Sequence, residues 1–441
     1  MKYLFGLNTL LCTGYIGLFV FVFTHLPIQT DLFDPLAKAF EDFEMSDLVF
    51  SQPPANENLA TDEVEYLRDP SEIAHDTNIV LVNIQFKNRA EISQMLDIIN
   101  KYEPKIVGID AFFRKEKGPA LDFPLAMSLS QTRNLVLVNE LVTTDETKDV
   151  FDSLQYSNPM FNETANNGFA NVLSSASGEG FRTVKEFYPF QYLGNTDSLY
   201  PNFSTKIVEL ANPEAYEYLK SRGHFTETIN WTGNYRKFTA FDAHQVLGEI
   251  GDLTVMKDKI VLMGYIGQSL GERDLVDIFY TPQNPRVAGR AYPDTYGVVV
   301  HANIISMIMD KKYIHQTPEW LTMLLLVVIT YLNVALFLFI ADRRKMYFDL
   351  ITKSIQLLEI ALFMGLIVML MLKFQIKIHL TFVLVAVALS GDLTELYAGS
   401  LRPIAEKYLL KFGLIKSKSE NNSNDQGVIN KHKTCLALPR K

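Results

Sequence analysis

The stretch Asn78 to Asp110, NIVLVNIQFKNRAEISQMLDIINKYEPKIVGID, decides the fold. Asn78 to Ile84 is almost wholly apolar and β-branched, and Lys105 to Asp110 is a second such run; continuous apolar runs suit strands covered on both faces. Between them, Arg89 to Tyr102 places Ile92, Met95, Leu96, Ile98 and Ile99 on one helical stripe. The segment therefore reads as a β-α-β unit with parallel strands. A third apolar run at Lys259 to Tyr265 (KIVLMGY), a fourth predicted strand at Asn134 to Val138 and a helix within Gly297 to Met309 extend the pattern. The expected class is α/β with a mostly parallel sheet.

Ligands of such sheets sit beyond the carboxyl ends of the strands. Asp110 ends its strand there, and the loop after the 260–265 strand carries Gly264, Gly267, Gly271, Glu272, Asp274 and Asp277. Asp110, Gly267, Asp274 and Asp277, with His301 at a helix start, are the candidate ligand-binding residues. The same residue types also serve as turn formers and caps, so a structural role stays open. The aromatic pairs Phe112-Phe113 and Phe187-Tyr188 read as core packing.

The flanks are membrane-like. Leu4 to Phe23 is 20 residues without a charge, enough at about 1.5 Å per residue to cross a hydrocarbon core of about 30 Å. Thr24-His25-Leu26 offers no small-x-small cleavage site and Leu11 before Cys12 argues against a lipoprotein signal, so residues 1–24 read as an uncleaved anchor. Trp320 to Ile340 is a second charge-free run, closed by Asp342-Arg343-Arg344-Lys345. Ile355 to Leu372 is a third, with Glu359 its only charge; this residue reads either as snorkelling to the cytoplasmic interface or as facing a neighbouring helix. Ile378 to Ser390 is short for a fourth span unless it continues through Asp392 and Glu395. The expected division is an anchor at 1–24, one domain at 25–318, spans at 319–341, 351–372 and 378–397, and a basic tail at 398–441.

Charge supports one topology. Residues 25–318 hold 41 acidic and 25 basic side chains, whereas 391–441 hold 5 and 9. Basic material marks the cytoplasmic side, which places the large domain outside and both termini inside. The two cysteines, Cys12 and Cys435, lie outside that domain, so it folds on its core alone.

Three further stretches carry a resemblance: INWTGNYRKFTAFDAHQVLGEI (229–250), DKIVLMGYIGQSLGERDLVDIFYTP (258–282) and YPDTYGVVVHANIISMIMDKKYIHQTP (292–318). In this order they resemble the carboxyl half of CHASE2, an extracytoplasmic sensory domain of bacterial transmembrane receptors. IVLVNIQ (79–85) and EPKIVGIDAFF (103–113) are similar to the family's amino-terminal unit, and GFRTVKEFYPF (180–190) to its middle. The resemblance implies one span before the sensor and three after it, a bacterial inner-membrane location, work as a homodimer, and a cytoplasmic output domain. The tail, with one amphipathic helix at Leu401 to Leu414 and then SKSENNSNDQG, is too short for a cyclase or kinase domain. A separate output protein is therefore expected. Asn83 departs from the acid more often found on the family's first strand, which weakens a charged or metal-binding role at that point.

The sequence has no GxxxxGK[ST], HExxH or CxxC motif, and the eight histidines are scattered. No enzyme activity, cofactor or metal is expected, and location and charge exclude nucleic acid. The expectation is a sensor or receptor subunit that binds an extracytoplasmic small ligand or envelope protein and signals through a membrane or cytoplasmic partner. The alternative is a scaffold that holds an envelope complex together without signalling.

Overall fold

A computed structural model describes residues 3–4, 6–25, 49–50, 76–144, 151–172, 183–194, 198–272, 274–284, 292–378 and 381–411. Two compact units are present, one of residues 1–29, 316–369 and 377–441, the other of residues 30–315 and 370–376.

In the helical unit, α1 is Leu7–His25. In the sheet unit follow β1 (Asp76–Asn83), α2 (Arg89–Lys101), β2 (Ile106–Ile109), α3 (Pro119–Gln131), β3 (Leu135–Val142), β4 (Ser153–Gln155), β5 (Asn166–Phe169), α4 (Phe203–Ala211), α5 (Pro213–Arg222), β6 (Phe238–Asp242), α6 (Ala243–Leu247), β7 (Ile260–Gly264) and α7 (Gly297–Met309). The main path of the sheet runs β6-β1-β7-β2-β3-β4, with β5 also on β3, and every pairing but that of β4 is parallel.

Period-two alternation sorts the strand residues between two cores. Ile79, Leu81, Ile106, Val136, Val138, Ile260 and Leu262 face α4, α5 and α7. Val80, Val82, Val107, Ile109, Leu135, Leu137, Val261 and Met263 face α2, α3 and α6. Both faces are covered, which is why these strands read as unbroken apolar runs. Helix α2 starts where Asn88 accepts from the backbone N–H of Ala90 and Glu91 while Glu91 reaches back to the Asn88 N–H, a reciprocal capping box. Its buried stripe is Ile92, Met95, Leu96 and Ile99, with Ile98 only partly buried.

Helices α8 (Glu319–Arg343) and α9 (Phe348–Phe374) follow; α10 (Thr381–Leu396) passes through a π-helical turn at Tyr397–Leu401 into α11 (Arg402–Lys411). Among the described residues three helices are long and apolar enough to cross a membrane: Glu319–Arg343, Phe348–Phe374 and Val383–Ala405. The last does continue through Asp392 and Glu395, because Lys353 of α9 donates to Asp392 at 2.6 Å. The apolar part of α1, Leu7–Val22, is shorter. It packs with Cys12, Ile16 and Val20 buried against Val334 and Leu338 of α8 and Ala386 and Leu393 of α10.

Glu359 does not snorkel. Helix α9 begins at Phe348, so Glu359 lies near its middle, where its carboxyl accepts a 2.8 Å hydrogen bond from Asn333 of α8. At the other end of α8, Tyr3 and Arg402 both reach the Asp342 carboxylate, at 2.9 and 3.0 Å. The expected helix at 401–414 is described to Lys411; residues 412–414 and the polar stretch 417–427 lie outside the described residues, as do residues 180–182 of the GFRTVKEFYPF segment.

Candidate functional site

Four strand carboxyl ends lie side by side. The register pairs Asn83 with both Asp242 and Gly264, and the Asp110 N–H, one residue past β2, donates to Met263 O at 2.8 Å. The row therefore reads Asp242, Asn83, Gly264, Asp110, and its two ends behave differently.

On the Asn83 side every polar group is partnered. The buried Asn83 amide donates to Asp242 Oδ1 at 2.8 Å and to Gly267 O at 3.0 Å, and its Oδ1 accepts from the N–H of Ile266 and Gln85 at 3.0 and 3.1 Å. Asp242 also accepts from Leu270 N–H at 3.1 Å and forms a capping box with Gln245 at the start of α6. The loop after β7 is thus pinned to the strand ends. Farther along it, Tyr265 donates to the Asp274 carboxylate, and the Tyr296 hydroxyl accepts from Asp274 N–H at 3.1 Å and donates to Glu272 O at 3.2 Å. The Tyr265 hydroxyl is the main cause that holds the Asp274 carboxyl below the usual carboxylate range. Gly267 has φ 93°, and a Cβ there would lie 2.7 Å from Glu272 O and 2.8 Å from the Tyr296 hydroxyl.

The Asp110 side is different. Burial raises the Asp110 carboxyl and the charge of Asp277 raises it further; burial raises Asp277 as well. Among the described residues no side chain donates to Asp110. Asp277, at the rim with φ 52°, packs its carboxyl against the start of α7, where a Cβ on Gly297 would meet Oδ2 at 2.9 Å. The negative charge of Asp277 resists ionisation of Asp110, and the pair is suited to take a cation or a hydrogen-bond donor.

The structure therefore brings Asp110 and Asp277 together and places Gly267 and Asp274 in the pinned loop beside them. It places His301 elsewhere: 2% exposed, in α7, with Nδ1 2.9 Å from Ser204 Oγ and the ring edge-on to Phe203. Burial lowers its pKa to about 4, so it is a neutral core residue. Beside the loop a cavity of about 250 Å³ is lined by Asp274, Leu275, Ile278, Tyr292 and Pro293, and the exposed Phe86 stacks on Tyr265 at 4.9 Å between ring centres. Among the described residues no group of three or more His, Cys, Asp or Glu side chains gathers to hold a metal. Phe113 and Phe187 are core residues, whereas Phe112 is exposed under Arg114.

Sequence reading missed Asp242, Tyr265, Tyr296 and Gly297. The Asp242-x-x-Gln245 spacing was a usable signal for the first, since it is a helix-start pattern; the two tyrosines and the glycine act through contacts far apart in the chain.

The family model of the CHASE2 domain matches residues 57–340. The chain belongs to the CHASE2 family. No curated protein and no solved structure gives a significant match. CHASE2 is a sensory domain family and an extracytoplasmic domain, and here its match takes in the sheet unit from Asp76 to His315 and most of α8. The resemblance read from the strand and loop segments is thereby borne out. The Asp110–Asp277 pair and the pinned loop both lie within the CHASE2 match.

Proposed function

We propose that this CHASE2 protein is the sensing subunit of a bacterial inner-membrane signalling system. Its sheet unit lies outside the membrane and binds a small ligand or envelope partner at Asp110 and Asp277. The helices carry the change inward through the chain at Pro318, and a separate output protein receives it. Helix α1 serves as a fourth span, both termini are cytoplasmic, and the protein works as a homodimer. The role is binding rather than catalysis. What carries the reading is the Asp110–Asp277 pair at the carboxyl edge of a parallel sheet, to which no side chain among the described residues donates, beside a loop held by Asn83, Asp242, Tyr265 and Tyr296. The basic triplet 343–345 and the meeting of Tyr3, Asp342 and Arg402 at one end of the helical unit support the topology.

A ligand shifts a two-state equilibrium only through its differential affinity, so binding must favour one conformation of the domain. The test is thermal melting of the full-length protein in lipid nanodiscs against pooled metabolites, cell-wall fragments and metal ions. A ligand at 100 times its Kd stabilises by about 2.7 kcal/mol, about 2 °C or more in a domain of this size. A shift that Asp110→Asn abolishes supports the sensor. No shift in any pool removes the small-ligand reading in favour of an envelope scaffold.

A further inference from the structure

One strand beyond Asp110, the sheet carries a second polar concavity. Asn139, near the carboxyl end of β3, is 3% exposed, and its Oδ1 has no hydrogen-bond partner. Beside it the Tyr156 phenol lies within hydrogen-bonding reach of the Asn139 side chain and close to the Tyr200 phenol. Tyr156 is 41% exposed and forms one wall of a cavity of about 550 Å³, whose other lining residues are Ser157, Pro159, Met160, Asn162 and Glu163. Asn162 Oδ1 is a second buried acceptor without a partner. The wall is rigid: Phe113 N–H donates to Ser157 Oγ at 3.0 Å, Asn158 N–H donates to Phe113 O at 2.9 Å, and Phe113 packs on Phe161 at 5.6 Å.

A buried acceptor left unpaired costs about 1–3 kcal/mol, and a domain with two beside one cavity keeps them at a loss unless something donates to them. The lining offers amide and hydroxyl groups, one aromatic face and a single carboxylate, and no cation. This combination matches a neutral ligand that brings several O–H donors and an apolar ring face. We propose that the cavity walled by Tyr156 and backed by Asn139 binds a saccharide, with a sugar ring on the Tyr156 face and sugar hydroxyls donating to Asn139 and Asn162. The site is separate from the Asp110–Asp277 pair and does not depend on it.

The test is calorimetric titration of the full-length protein in nanodiscs with three neutral trisaccharides: maltotriose, cellotriose and chitotriose. At least one is expected to bind saturably, with affinity reduced about tenfold or more by Tyr156→Ala and by Asn139→Leu and changed less than twofold by Asp110→Asn. Melting of the unliganded Asn139→Leu variant separates a binding role from a structural one. An Asn kept for ligand leaves the Leu variant melting close to the parent, because loss of the Tyr156 hydrogen bond is offset by removal of the unpaired acceptor. The proposal is overturned if none of the three sugars binds, if binding survives both substitutions, or if Asn139→Leu melts well below the parent. Failure here leaves the Asp110–Asp277 reading standing, since that rests on different residues.

Discussion

Asp242 and Asp110 flank the same strand ends, and only one of them is satisfied. Asp242 receives donors from Asn83 and Leu270 and holds a loop and a helix in place. Asp110 receives none among the described residues, and burial and Asp277 both resist its ionisation. Buried polar groups in folded proteins are almost always partnered, as Asp242 is; Asp110 is only half-buried and Asp277 is exposed, so neither needs a protein donor to stay folded. The difference separates an acid that holds a loop and a helix in place from an acid with no such structural task among the described residues.

Three substitutions break or sharpen this contrast. The largest effect belongs to Asp242→Ala, which strands the Asn83 amide and the Leu270 N–H: a loss of about 3 kcal/mol and a fall in Tm of about 5 °C are expected. Differential scanning calorimetry checks this, and an unchanged Tm would erase the structural half of the contrast. Gly267→Ala comes next, at about 1–3 kcal/mol, because the residue would need a left-handed backbone and would press on the Glu272 carbonyl. Its damage should stay local, with hydrogen exchange accelerated in residues 265–277 and unchanged in β1 and β2. Asp110→Asn is the smallest and has the opposite sign: at pH 8 the variant melts above the parent.

Much of the sheet was legible because it is covered on both faces. The runs at 79–83, 106–109 and 260–264 have no polar side to confuse the period, and the helix after Asn88 announces itself with a capping box. Strand β6, FTAFD, went unread because it lies at the edge of the sheet and mixes polar with apolar residues. The pairing of Asp110 with Asp277 was legible only as two acids near strand ends. That Asp274 is tied to Tyr265 while Asp277 sits over Gly297 depends on contacts 9 and 20 residues apart, which no local pattern encodes. His301 was a candidate because it stands near a helix start; its ring turns toward Ser204 in the core. In the helical unit, hydropathy found the spans but ended the last one early, since the charge of Asp392 is met by Lys353 of another helix.

The proposed binding role rests on Asp110 and Asp277 receiving no side-chain donor among the described residues. Its most direct test is the melting temperature of the full-length protein from pH 4 to pH 8, parent against Asp110→Asn. A carboxyl whose folded pKa is raised contributes its full stability below the unfolded value of about 4 and loses it as pH rises through the folded value. Asparagine has no proton to lose. The two curves should therefore meet near pH 4 and separate as pH rises, the variant melting higher. A variant that melts below the parent at every pH would mean that Asp110 is a structural acid and would contradict the account.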